Sequence, residues 1–261
     1  MSEVRLIVQR FNPLNQQKPK DAEFAVPFRR GMTVLDAVLY ARDYLDHSIG
    51  VRFSCRQASC GSCGMKINGK PRLACYTQVE ELGGKEVRVG PMDNFQIVKD
   101  LVTDLGSFFD MHKSVSPYII RSDSAEMDHP SGEFLMSPEE LDKILQFTYC
   151  IKCGICTSSC PTVATDSLFP GPQALTQAYR YTMDERDEGG EKRIKALDTV
   201  HGVWRCHFAG SCSAFCPKGV DPALGIQLLK KHVMSGKGPR GQGEGAKLYS
   251  GPKDSDKNAR P

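Results

Sequence analysis

The densest chemistry in the chain lies in Cys150, Cys153, Cys156 and Cys160, a C-x2-C-x2-C-x3-C run closed by Pro161. Thiolates three residues apart let one short loop wrap three corners of a cubane iron-sulfur cluster, with backbone N–H groups turned towards the bridging sulfides. That loop cannot reach the fourth corner. In two-cluster ferredoxins the Cys before Pro serves the other cluster, so a second loop must return a cysteine to the first. A second run is present at Cys206, Ala209, Cys212, Cys216 and Pro217, in register with the first at every ligand position. By the crossing rule, Cys150, Cys153, Cys156 and Cys216 form a complete set for a 4Fe-4S cluster, while Cys160, Cys206 and Cys212 supply only three thiolates. Ala209 has no donor atom, so a 3Fe-4S cluster is predicted there.

A third group has the spacing C-x4-C-x2-C at Cys55, Cys60 and Cys63, with Cys75 following in the next hairpin. The first three match the plant-type two-iron pattern, which makes the set a predicted 2Fe-2S site. Ser59, Gly61, Ser62 and Gly64 are small enough for the backbone to approach the sulfides and donate hydrogen bonds to them. Arg52 and Arg56 either offset the charge of such a cluster or stand solvated, as most arginines do. Four, four and three ligands account for all eleven cysteines. An odd count cannot pair fully as disulfides, and Met1-Ser-Glu-Val-Arg lacks the basic and then apolar regions of a signal peptide. Metal ligation in a reducing compartment is therefore expected. Zinc is the plain alternative, but its sites favour paired C-x2-C knuckles that close a tetrahedron.

The elements that must position these loops are legible from periodicity. Val4, Leu6 and Val8 alternate, as do Phe24, Val26 and Phe28, so residues 3 to 10 and 22 to 28 are predicted strands. Thr33-Val-Leu-Asp36 has the form of a capping box, and Val34, Leu35, Val38, Leu39 and Leu45 recur at helical spacing to about Asp46. Short strands follow around the Asn68-Gly69 turn and at Glu86–Val89. A helix is expected from Asp93 to about Met111, on Phe95, Val98, Leu101, Val102, Leu105 and Phe108. Residues 112 to 136 are an irregular connector, set against the second domain through Tyr118, Ile119 and Ile120. Ser137-Pro-Glu-Glu140 starts a helix that runs into Cys150, Pro172 opens another, and Asp221-Pro222 opens the last. Asp184 to Lys192 is an expected exposed turn before a helix over Ile194 to Val200.

The expected class is α+β: a β-grasp, plant-type 2Fe-2S ferredoxin-like domain over 1–105, then an all-α domain of bacterial-ferredoxin type with two clusters over 106–234. Residues 235–261 form a Gly/Pro/Lys-rich tail expected to be disordered. The tail's six basic and three acidic residues carry the whole formal net charge of +3. The rest is neutral overall, which removes any general case for nucleic acid binding. No apolar run approaches the ~18 residues of a membrane span.

A plant-type two-iron domain followed by a helical domain with these loops resembles the iron-sulfur subunit of succinate dehydrogenase (respiratory complex II) and quinol:fumarate reductase. The likeness covers residues 1 to about 234. It extends to Asn68-Gly-Lys-Pro-Arg-Leu-Ala-Cys75, Lys99-Asp-Leu-Val102, Ala178-Tyr-Arg180, Arg205-Cys-His207 and Cys216-Pro-Lys-Gly219. The resemblance implies a flavoprotein partner with covalent FAD that oxidises succinate, one-electron passage through the three clusters, and quinone reduction at a membrane anchor on the cytoplasmic face of the cell membrane. Fumarate reductases run the reverse course, and no residue of this chain is implied in dicarboxylate binding. It also implies a quinone pocket that borrows Pro161 and His207, although His207 equally suits a packing or cluster hydrogen-bond role. Val163 and Ala164 stand where the family usually has a tryptophan, and the only tryptophan, Trp204, is carried as a further candidate. That departure keeps a reductase with a non-quinone electron partner in view.

Overall fold

The computed structural model describes residues 3–15 and 18–235, so residues 236–261 of the predicted tail lie outside the described residues. The chain divides into two compact units. The first takes the residues up to Leu105 together with Ile151–Ser159; the second takes Gly106–Cys150 and the described residues from Cys160 onward. The segment 151–159, expected within the helical domain, thus belongs by its contacts to the first unit.

In the first unit, β1 (Glu3–Arg10) pairs antiparallel with β2 (Lys20–Pro27) and parallel with β5 (Glu86–Gly90). The hairpin β3 (Gly64–Ile67) and β4 (Lys70–Leu73) completes a five-stranded mixed sheet of order β2-β1-β5-β3-β4. Val4, Leu6 and Val8 are fully buried on one face, as their alternation requires. Helix α1 (Val34–Tyr40) opens on the Thr33/Asp36 capping box, buries Val34, Leu35 and Val38, and widens into a π-turn over Ala41–Leu45. This is the sheet-and-helix frame of a β-grasp.

The helix expected over 93–111 is a correction. Its first half forms a short hairpin, β6 (Ile97–Lys99) and β7 (Val102–Thr103), and only α2 (Gly106–Ser114) is helical. The cause is Asp100, at φ 48° and 2% exposed, whose carboxylate accepts from the N–H groups of Phe11 and Gly50 and from Arg10. Binding three donors from two other segments fixes a turn that no helix could accommodate. The apolar spacing here belongs to paired strands.

The second unit is helical: α2, then α3 (Ser124–Asp128), a short helix inside the stretch 112–136 expected to be irregular, α4 (Pro138–Thr148), α6 (Pro161–Thr165), α7 (Gly171–Thr182), α8 (Gly190–Leu197), α9 (Ser211–Ala214) and α10 (Pro222–Met234). The four-residue α5 (Ile155–Ser158) lies in the segment assigned to the first unit. Ser137 and Asp221 cap α4 and α10 as expected, accepting from the N–H groups of Glu140 and Leu224. Helices α7 and α10 approach closely at Gly225, where a Cβ would meet Phe147 and Thr176 at 3.1 and 3.2 Å. The core gathers Phe147, Cys160, Leu175, Tyr179, Leu197, Ile226 and Leu229, and Cys150, Cys206 and Cys216 pack on it.

The 184–192 segment is a second correction. Helix α8 begins at Gly190 and ends at Leu197, and Arg193 is buried within it. Arg193 donates to both oxygens of Asp187, at 2.5 and 3.0 Å, and to the carbonyls of Val115, Ser116 and Tyr118. A run rich in charge looks solvated in sequence, yet Asp184 is buried, and the enclosed Asp187 carboxylate with Arg193 just beyond the run holds the connector at 115–120 in place.

Candidate metal centres

The first centre is built by the loop between the π-turn and β3, and by the turn after β4. Cys63 immediately precedes β3 and Cys75 lies in the 3-10 turn Ala74–Tyr76, so the hairpin carries both to one place; the Ala74 N–H donates to the Cys63 carbonyl at 3.1 Å. Seven backbone N–H groups, those of Cys55, Gln57, Ala58, Ser59, Cys60, Ser62 and Cys75, point at cysteine sulfur at 3.3 to 3.5 Å. The loop achieves this with left-handed backbone at Arg56, Ala58 and Gly61, which turns successive N–H groups inward as an anion-binding nest does. A ring of donors with Cys55, Cys60, Cys63 and Cys75 inside it fits a two-iron, two-sulfide group.

The thiols differ in acidity along the depth of the site. Burial raises the Cys60 thiol, but hydrogen bonds from Ser62 and from backbone N–H groups outweigh it and bring the thiol down to about 6. Burial pushes Cys63 up to about 12 and, in the second unit, Cys212 up to about 11. The deep thiols therefore need a metal's charge to ionise them, while Cys60 at the rim is ready as a thiolate. Arg52 donates to the Thr103 carbonyl at 3.2 Å, and Arg56 stacks on Phe53 at 5.2 Å.

The two cubane loops have one backbone. Lys152 and Gly154 are left-handed at φ 53° and 79°, and α5 follows; Phe208 and Gly210 are left-handed at φ 58° and 75°, and α9 follows. Cys153 and Ala209 each stand between such a pair, so the loop conformation is repeated where the ligand is not. Cys153 and Cys156 lie within the segment assigned to the first unit, and Cys150 and Cys216 within the second. Against Cys153 lies Gly61 of the two-iron loop, at φ 76°; a Cβ there would stand 2.9 Å from both the Cα and the Cβ of Cys153. Gly61→Ala should accordingly strip the two-iron centre: left-handed strain of about 1–2 kcal/mol adds to a backbone clash, and the 2Fe-2S EPR signal of the reduced protein should fall by well over half.

Cys160, Cys206 and Cys212 line one pocket of the second unit, together with Ala209, Pro161 and His207. Three sulfurs and a methyl group around one cavity fit a cluster with an unligated corner. Exposed Phe208 is also in the wall. Trp204 is not among the lining residues; its indole N–H donates to Asp198 at 2.6 Å. Nothing in the local sequence singles out Asp166 or His201. The Asp166 carboxylate takes His201 at 2.8 Å and Arg205 at 2.9 Å, linking the end of α6 to the residue before Cys206. Burial raises its pKa, but hydrogen bonds from His201 and the Leu168 N–H, with the charge of Arg205, outweigh burial and hold it below the usual carboxylate range. No local signal could have revealed that node, because its members are thirty-five and thirty-nine residues apart.

Residues 5–110 match the family described as the 2Fe-2S iron-sulfur cluster binding domain, and residues 146–220 match the 4Fe-4S dicluster domain. The fumarate reductase iron-sulfur subunit of Haemophilus influenzae is 42% identical over 247 residues, covering 90% of this chain and 96% of its own. That of Mycobacterium tuberculosis is 41% identical, covering 88% and 92%, and the succinate dehydrogenase iron-sulfur subunit of Coxiella burnetii is 36% identical, covering 87% and 95%. Among solved structures, a chain of the Mycobacterium smegmatis Sdh1 complex in the apo form superposes with a TM-score of 0.80 at 25% identity, covering 90% of this chain and 97% of that one.

Proposed function

Because the chain belongs to the family of iron-sulfur subunits of fumarate reductase and succinate dehydrogenase, we propose that it relays electrons between the FAD of a flavoprotein subunit and a quinone at a membrane anchor. Its place in an oxidoreductase complex, with a 2Fe-2S and a 4Fe-4S domain, follows from the family itself. Bound clusters accept and release one electron at a time, and the chain's own work is to hold them and tune them. Cys55, Cys60, Cys63 and Cys75 hold 2Fe-2S inside the ring of N–H donors. Cys150, Cys153, Cys156 and Cys216 hold 4Fe-4S by the crossing pattern of the two loops. Cys160, Cys206 and Cys212 hold 3Fe-4S. Every N–H aimed at sulfur stabilises added negative charge, and so raises the potential at which an electron is taken up.

The observation that carries the reading is the pocket in which three cysteines meet Ala209, because it supplies a one-electron terminus whose wall includes Pro161 and His207. A quinone is proposed to approach that wall. Among the described residues no helix is long and apolar enough to cross a membrane. Attachment to the cytoplasmic face of the cell membrane through anchor subunits is part of the proposal. The test is purification with the partner subunits, EPR of the oxidised complex, and succinate oxidation coupled to quinone. A 3Fe-type EPR signal with quinone-dependent turnover supports the relay as written. The same signal with no turnover on any quinone would favour the non-quinone partner that Val163 and Ala164 keep open. Absence of the signal from iron-replete protein would overturn the ligand assignment.

A further inference from the structure

The turn after β5 touches both cluster loops of the first unit without contributing a ligand. Asn94, left-handed at φ 64°, donates its side-chain amide to the carbonyls of Thr157 and Ser158 at 2.8 and 3.3 Å. Those carbonyls close α5, the short helix that follows Cys153 and holds Cys156, and Thr157 and Ser158 are both buried. An amide that satisfies both carbonyls therefore fixes where the chain between Cys153 and Ser158 stands. Two residues earlier, Met92 is 4% exposed and wedged between the loops. Its Sδ lies 3.1 Å from the Cβ position of Gly64, directly after Cys63, and its Cε lies 3.4 Å from that of Gly154, directly after Cys153. The Phe95 ring closes on the same Gly154 position at 3.1 Å. Here an interior close-packed to within a few tenths of an ångström transmits displacement instead of absorbing it.

We propose that Asn94, with Met92, is a positioning residue pair that sets the spacing between the two-iron loop and the loop carrying Cys153 and Cys156. It thereby sets the rate of the electron step between their clusters. In that step one electron leaves the reduced 2Fe-2S group and enters the oxidised 4Fe-4S group; no bond is made or broken. The proposal rests on the ligand assignments above. Asn94→Leu keeps the size and removes both hydrogen bonds while adding left-handed strain at φ 64°, and Met92→Ala removes the spacer without that strain, leaving Asn94 untouched.

The test uses the assembled complex carrying either variant, with iron content and the three EPR signals as the first readout. If the unaltered complex lacks the 2Fe-2S and 4Fe-4S signals, the functional reading fails before the spacing is tested. With those signals present, the 2Fe-2S signal of the reduced variants should saturate at lower microwave power, because the neighbouring reduced cluster relaxes it less. Flavin-linked dye reduction should be unchanged, with electron delivery beyond the two-iron cluster falling several-fold. Full cluster content with wild-type saturation and wild-type delivery in both variants would overturn the proposal. If Asn94→Leu cannot retain its clusters, Met92→Ala decides alone by the same two measurements.

Discussion

Ala209→Cys should abolish the 3Fe-type EPR signal of the oxidised complex, add one iron per chain and lower the potential of that centre. Ala209 occupies the position that Cys153 holds in the other loop, between the same two left-handed residues, and it lines the pocket of Cys160, Cys206 and Cys212. A thiol there needs no rearrangement of the backbone to face the cavity. A fourth thiolate raises the negative charge on the site and disfavours uptake of an electron. About 59 mV is a factor of ten for a one-electron couple, so a fall of about 120 mV would cost a hundredfold in equilibrium delivery to the acceptor. Redox titration by EPR and metal analysis, with Ala209→Val as the volume control, decide it. An unchanged signal and iron count in Ala209→Cys would mean that the alanine does not face an iron corner.

Arg193→Leu should be the most damaging change remote from any cysteine. The Arg193 side chain is 1% exposed and the Asp187 side chain fully enclosed, and Asp187 also accepts from the N–H groups of Ile120 and Gly189 at 2.8 Å. Removing the arginine leaves the buried carboxylate without its counter-charge and takes a donor from three carbonyls. Breaking such a buried pair costs about 3–5 kcal/mol, which at about 2–4 °C per kcal/mol for a chain of this size lowers the melting temperature by roughly 10 °C. The double change Arg193→Met with Asp187→Leu should recover part of that loss, since an apolar pair no longer strands a charge. Calorimetry of the cluster-loaded protein measures both; a loss below about 1 kcal/mol would show the pair to behave like a surface ion pair.

What the sequence could and could not reveal follows from how far apart the cooperating residues lie. The cluster spacings, the Thr33 and Ser137 caps and the alternation in β1 are local, and each is read within one or two turns of chain. The 97–103 hairpin was hidden because its turn is dictated by Asp100 binding the distant Phe11 and Gly50 N–H groups. Asp187 falls in the expected exposed turn for the same reason: it is enclosed by Arg193, whose other partners include carbonyls more than seventy residues away. Asn94 falls within the helix expected over 93–111 as one polar residue among others, and only the carbonyls it meets at 157 and 158 single it out. Periodicity reports burial along an element; it does not report which distant chain satisfies a polar group.

Residues 151–159 pack with the first unit although residues 150 and 160 on either side belong to the second, so the polypeptide passes from one to the other three times. No single cut in the gene yields either half whole. A fragment ending at Leu105 would display Gly61 and Met92 to solvent where the borrowed nonapeptide should lie, and the complementary fragment would carry that peptide with nothing to receive it. Dissection of this subunit by truncation would therefore report on the missing graft before it reported on either metal-binding half.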